Sequence, residues 1–180
     1  MNKEILLKIA HDAIKCRFDE TFKIDKEKLL EEYPFLEEPV ACFVNINLNG
    51  KLKGCIGSLE AYDMLIDDLI SNSYNAAFLD PRFEELSEDE SKNIDIEISV
   101  LTPALKIEYK DTKDLKSKIK IGKHGVIIER ENERFTFLPQ VWEQYPTFEE
   151  FFKKLIQKGG FENDCIEKGT NILIYEVIKI

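Results

Sequence analysis

Cys55 stands in LKGCIG, residues 52–57, with Gly54 before it and Gly57 two residues after. Glycines strip away side-chain cover and free the backbone, which suits a reactive thiol. A free cysteine becomes a nucleophile when a cation or a helix N-terminus lowers its pKa. Gly57-Ser58 and the helix expected to follow would supply such a terminus. Lys51, Lys53, Lys158 and His124 would supply positive charge. The plain alternative is a small apolar side chain filling a gap, the usual fate of a free cysteine. His124 lies in GKHG at the expected start of a strand, where an imidazole near a cleft acts as base or ligand. Its alternative is a surface turn. His11, inside the first helix, reads as structural or solvent-facing.

The remaining candidates would hold a substrate. Lys53, Arg82 and Lys158 carry the charge to grip a carboxylate or phosphate of a small anionic substrate. Arg82, in DPRF, equally suits a structural ion pair with Asp80. Glu97 faces away from the isoleucines of NIDIEISVL. It would act as acid, base or ligand if that face lines a cleft, and would do nothing special in solvent. Gln140, after Pro139, would donate and accept in a pocket or close a turn. With backbone amides near Gly54 and Gly57 it would stabilise an oxyanion. Cys16, Cys42, Cys55 and Cys165 are widely spread, so no spacing supports a metal site. No GxGxxG or Walker sequence supports a nucleotide, and the cofactor stays open.

The elements that must position these groups follow from periodicity. Residues 3–17 read as an amphipathic helix, and DKEKLLEEYP as a second, capped by Asp25 and stopped near Pro34. VACFVNINL and KLKGCI read as strands joined at Asn49-Gly50, which puts Cys55 at or just past a strand end. Residues 62–79 read as a helix in which Ala76 and Ala77 imply a close neighbour. Ser87 and Glu90 form a capping box on a short helix. NIDIEISVL alternates as a half-buried strand. ALKIEY, GKHGVIIER and ERFTFLPQV read as further strands, the last two joined by RENER, and DTKDLKSKI as a short helix. Thr147 and Glu150 cap a helix that ends at Gly159-Gly160. TNILIYEVIKI reads as one final strand, central or second from an edge. The order predicts an α+β (mixed α/β) fold with a largely antiparallel sheet flanked by helices.

The bulk numbers agree with one domain. The chain has 180 residues, 43% hydrophobic, with a formal net charge of -10. That charge repels nucleic acid in general. The N-terminus, MNKEILLKIA, lacks a long apolar h-region, and no run approaches the roughly 18 apolar residues of a membrane span. The expectation is a cytoplasmic protein with reduced thiols and no membrane contact.

Five further segments extend the pattern. LKGCIG closely resembles the LRGCIG hexapeptide of the AMMECR family. AAFLDPRF, IEISVLTP, GKHGVII, FLPQV and an FF…KGGF ending at 161 resemble that family's other motifs, in its order, over nearly the whole chain. Two departures stand out: Lys53 replaces the hexapeptide arginine, and Gly159 replaces the alanine of a KAG-like ending, with its nearby tryptophan absent and Cys165 close by. The resemblance implies one two-lobed domain over 1–180, the larger lobe built from both chain ends and the smaller from an internal section. It implies a cleft near the hexapeptide shared by Cys55 and His124. It also implies kinship with AmmeMemoRadiSam system protein A, and so with Memo-like and radical SAM partners. Three functions remain in view: a cysteine-dependent enzyme or component of such a system, a non-catalytic interaction or scaffold module, and an RNA-linked regulator.

Overall fold

A computed structural model of the chain describes residues 2–130, 133–160, 166 and 170–180. The RENER turn at 131–132 and Cys165 therefore lie outside the described residues. The fold is α+β, with strands arranged in two four-stranded antiparallel sheets rather than one. The chain forms two compact units, Met1–Leu101 with Ile178–Ile180, and Thr102–Val177. Each has its own apolar cluster.

The first unit opens with α1 (Lys3–Lys15), whose first turn is capped by Asn2. Ile5, Leu6, Ile9, Ala10, Ala13 and Ile14 recur at helical spacing and are all buried. α2 (Lys26–Glu32) starts at the Asp25 cap and gives way to a 3-10 turn at Pro34–Glu37. β1 (Cys42–Leu48) and β2 (Lys51–Gly57) form a hairpin. Its turn needs left-handed backbone at two successive residues, which Asn49 and Gly50 provide with φ of 52° and 74°. α3 (Leu65–Phe78) packs its Leu65, Ile66, Leu69 and Ala76 on the inner sheet face, and α4 (Glu88–Ser91) carries the Ser87–Glu90 capping box. β3 (Ile94–Leu101) pairs with β1 and buries Ile94, Ile96, Ile98 and Val100 while Asp95 and Glu97 face out.

The second unit holds β4 (Leu105–Ile107), α5 (Thr112–Lys118), β5 (Gly125–Arg130), β6 (Glu133–Phe137), a 3-10 turn at Pro139–Glu143, α6 (Phe148–Lys158) and β7 (Asn171–Tyr175). Its sheet order is β4-β7-β5-β6. α6 is capped by Thr147 and buries Phe148, Phe151, Phe152, Leu155 and Ile156, with the Trp142 indole stacked on Phe151 at 3.6 Å. A Cβ on Gly159 would fall 2.5 Å from the Phe135 ring, so Phe135 accounts for glycine where the resemblance has alanine.

The C-terminal segment corrects one expectation. TNILIYEVIKI is not one strand. β7 ends at Tyr175, and β8 (Val177–Lys179) joins the other sheet beside β3, giving the order β2-β1-β3-β8. Ile98 and Ile180 exchange both backbone hydrogen bonds there. The break falls at Glu176. Its N–H donates to Thr102 Oγ1 at 2.8 Å, and its carbonyl oxygen accepts from Thr102 N at 2.9 Å. A local hydrogen-bond exchange with Thr102 thus interrupts a run whose side-chain pattern is continuous.

Candidate functional site

Cys55 is the fifth of seven residues in β2, not a residue at a strand end. Strand alternation sends its neighbours to opposite faces. Gly54 points inward, where a Cβ would lie 1.9 Å from the Ala76 carbonyl oxygen of α3. This is the close approach that Ala76 and Ala77 foretold, and it explains the glycine as a packing requirement. It also removes the expected helix N-terminus: Cys55 lies beside the C-terminal half of α3, whose start at Leu65 is far along the helix. Cys55 itself belongs to the outer face and is half-buried. Asn45 of β1 stands directly opposite it, and Glu97 of β3 directly opposite Asn45. Cys55, Asn45 and Glu97 therefore form one row on one face, with Glu97 about 10 Å from Cys55 by two strand spacings.

Both backbone polar groups of Cys55 are engaged by the DPRF turn. Asp80 Oδ2 accepts the Cys55 N–H at 2.9 Å, and Arg82 Nη2 donates to the Cys55 carbonyl oxygen at 2.8 Å. Asp80 also accepts from Arg82 N at 3.1 Å, Nε at 2.9 Å and Nη2 at 2.7 Å. The Asp80 side chain is 2% exposed and that of Arg82 56%. The Arg82 hydrogen bonds, joined by those from Cys55 N and Arg82 N, outweigh burial and hold the Asp80 carboxyl well below the usual carboxylate range. Asp80 in turn raises the Arg82 guanidinium, and the Cys55 side chain adds to that stabilisation. The cation at the Cys55 backbone is therefore Arg82, held in the structural ion pair with Asp80 that DPRF allowed beside a substrate-binding role.

Lys53, two residues before Cys55, pairs with Glu90 of α4 at 3.2 Å. A network missed in the sequence closes the far end of β2. The Ser58 hydroxyl donates to Asp68, whose other oxygen accepts the Cys42 N–H at 2.8 Å, while Asn72 Nδ2 donates to the Cys42 carbonyl oxygen at 3.1 Å and to Ser58 Oγ at 3.3 Å. Burial first, then the Asp68 charge, pushes the Cys42 thiol far up, so Cys42 is an inert core group. The available signal was Asp68 and Asn72, four residues apart, on the same helical stripe as Leu65, Leu69 and Ala76.

His124, Gln140 and Lys158 belong to the second unit. His124 is 4% exposed, not a surface turn. Its Nδ1 accepts the Lys120 N–H at 3.2 Å, its carbonyl oxygen accepts Trp142 Nε1–H at 2.8 Å, and its Nε2 lies 3.8 Å from Glu176. Burial lowers its pKa, against the opposing pull of Glu176. The neutral ring, with Nδ1 accepting, carries its proton on Nε2. In this arrangement His124 is a donor, and its one acceptor nitrogen is already used. Lys158 Nζ donates to the Thr136 carbonyl oxygen at 2.9 Å and lies 5.3 Å from the centre of the Phe137 ring. Gln140 is exposed on the 3-10 turn. Tyr175 Oη meets Thr136 Oγ1 at 3.1 Å and the Phe137 carbonyl oxygen at 3.2 Å, and burial pushes the phenol up to about 12. Among the described residues, no group of three or more His, Cys, Asp or Glu side chains is placed to hold a metal ion, and no helix is long and apolar enough to cross a membrane.

An α+β chain of two sheets, with a half-buried thiol braced by an Asp–Arg pair, is thus the class of protein defined by fold and site. The AMMECR1 family matches it over residues 7–180, and the chain belongs to that family. A protein of Saccharolobus solfataricus is 39% identical over 175 residues, covering 92% of this chain and 75% of that protein. A Methanothermobacter thermautotrophicus protein is 40% identical over 124 residues, covering 68% and 65%. The crystal structure of an uncharacterised Pyrococcus horikoshii protein is similar with a TM-score of 0.76 and 30% identity, covering 98% of this chain and 89% of that one.

Proposed function

We propose that this protein is a cysteine-dependent enzyme or enzyme-system component whose working group is the Cys55 thiol. The observation that carries the reading is the double grip of Asp80 and Arg82 on the Cys55 backbone, which fixes the strand position of a half-buried thiol. A thiol works through its thiolate, the form that attacks an electrophilic carbon. In this reading Arg82 is the charge partner of sulfur and Asp80 orients it, as a third group orients a base in a triad. Asn45 and Glu97, in the same row, face what Cys55 faces.

A small anionic substrate held by Lys53, Arg82 or Lys158 would have to displace Glu90, Asp80 or the Thr136 carbonyl group. The reading therefore gives those cations to the scaffold and leaves polar recognition to Asn45 and Glu97. The resemblance to AmmeMemoRadiSam system protein A supports work alongside Memo-like and radical SAM partners.

The test is the pH dependence of alkylation at each cysteine, mapped by mass spectrometry, in the native protein, Arg82→Gln and His124→Ala. Fast Cys55 modification in the native protein that slows in Arg82→Gln is the expected result. A Cys55 that stays inert until denaturation overturns it. That outcome would favour the second reading, a non-catalytic interaction module, for which the observation is the segment after β2: Leu59, Tyr62 and Met64 are exposed, Tyr62 by 82%.

A further inference from the structure

The first unit carries a concavity whose lining does not include Cys55. It has a volume of about 420 Å³ and lies between α1 and α4. That is the size of a small-molecule site. His11, Ile14, Lys15 and Phe18 recur at i, i+3, i+4 and i+7, so one stripe of α1 and its C-terminal turn forms one wall. Ile14 is buried and the half-buried Phe18 ring packs edge-on against Phe78 at 5.6 Å, so the floor is apolar and firm. Glu88 and Lys92 form the facing wall. The Lys53–Glu90 ion pair ties that wall to β2, and the capping box fixes its first turn.

The charges around the rim are already largely matched. Asp12 pairs with Lys8, Asp19 accepts from Thr21, Lys92 pairs with Asp89, and the Lys15 ammonium sits 3.9 Å from the centre of the Phe22 ring. Apart from Lys15, whose contact is with the Phe22 ring, two polar lining side chains make no hydrogen bond or ion pair among the described residues: exposed His11 on one wall and exposed Glu88 on the other. An imidazole offers an N–H donor whether or not it is charged, and a carboxylate offers only acceptors. One donor wall, one acceptor wall and an apolar floor match a ligand with an anionic end, a cationic end and an apolar side group.

We propose that the α1–α4 cavity binds a small amphipathic zwitterion of the α-amino-acid class. Its carboxylate meets His11 and the Lys15 side, its ammonium meets Glu88, and its side group rests on Ile14 and Phe18. The probe is phenylalanine, titrated into the full isotope-labelled chain and read by backbone amide shifts. 2-Phenylethylamine and 3-phenylpropionate serve as probes that each lack one charge. Phenylalanine should shift α1 and α4 signals saturably. Each analogue should bind at least about tenfold more weakly, the loss expected for one charged hydrogen bond. The exposed Glu88→Gln change should weaken phenylalanine by a similar factor and leave 3-phenylpropionate unchanged. No saturable shift in α1 and α4 overturns the proposal, as does equal affinity for the three compounds. Cys55 alkylation is read separately, so failure here leaves the thiol reading standing, and the reverse.

Discussion

Asp80→Asn is the sharpest probe of how the Cys55 strand is held. The native carboxylate accepts four hydrogen bonds, one from Cys55 N and three from Arg82, at 2.7 to 3.1 Å. Asparagine is almost isosteric but has one acceptor oxygen. Its NH2 group would be set against N–H donors from either Cys55 or Arg82. The carboxylate is almost fully buried, so the loss is not made good by water. The guanidinium is more than half exposed, so part of its charge is resolvated, and the full cost of breaking a buried pair is not reached. About 2–3 kcal/mol remains, the range for charge-assisted bonds to a group left badly partnered.

For a chain of this length, that corresponds to a melting temperature lower by about 4–12 °C at neutral pH. The pH dependence adds a second reading. The folded-state pKa of Asp80 lies below its unfolded value, so its contribution is complete above about pH 4 and is lost as pH falls below that. The gap between native and Asp80→Asn should therefore close in acid. Thermal denaturation monitored by circular dichroism across this range measures both effects. A melting temperature within 1–2 °C of native at neutral pH, roughly 0.5 kcal/mol or less, would refute the clamp as the anchor of Cys55.

Three other changes test separate parts of the structure. Gly54→Ala forces a Cβ to within 1.9 Å of a backbone oxygen, so it should cost about 3 kcal/mol or more, the upper end of overpacking, in a urea titration. His124→Asn keeps an acceptor for the Lys120 N–H but cannot take up a proton. Because burial depresses the native His124 pKa, native stability should fall as pH drops below about 6.5 and hold above it, and the variant should lack that slope in urea titrations at pH 5 and 7. Tyr175→Phe removes the hydroxyl that meets Thr136 and the Phe137 carbonyl oxygen. It should lower stability by about 1 kcal/mol with no change in the urea m-value.

How far the sequence revealed the structure depended on the range of the signal. Caps were legible because they are local. Ser87 with Glu90, Thr147 with Glu150, and Asp25 each announce a helix within four residues. So were β3, from its alternation, and the hairpin, from Asn49-Gly50. The division of TNILIYEVIKI between two sheets was not legible. Its cause is Thr102, more than seventy residues upstream, and no periodicity records a partner at that distance. The placement of Cys55 failed for a similar reason. Gly57 resembles a strand terminator, yet β2 runs to that residue because Gly57 leaves room for the Phe43 ring from β1. Arg82 was legible as a cation with a fair chance of pairing to Asp80. That both would close on Cys55 depends on how the turn after α3 meets the edge of β2.

The LKGCIG and AAFLDPRF segments are therefore one construction. Lys53, Gly54 and Cys55 are consecutive, and three different groups meet them: Glu90 of α4, the Ala76 carbonyl group of α3, and the Asp80–Arg82 turn. This also accounts for lysine at the position where the resemblance has arginine. Lys53 makes one ion pair at 3.2 Å with a single carboxylate oxygen, a geometry that does not call for the two-pronged grip of a guanidinium. Glycine at 54 answers a steric need, and Asp80 answers backbone donors that would otherwise lie bare on an edge strand. Once those demands are met, the Cys55 thiol is the part of this construction that backbone pairing and helix packing leave uncommitted. A scaffold that spends a buried carboxylate and a guanidinium to fix one half-buried sulfur concentrates its constraints on a single side chain, and that is where its chemistry should be sought first.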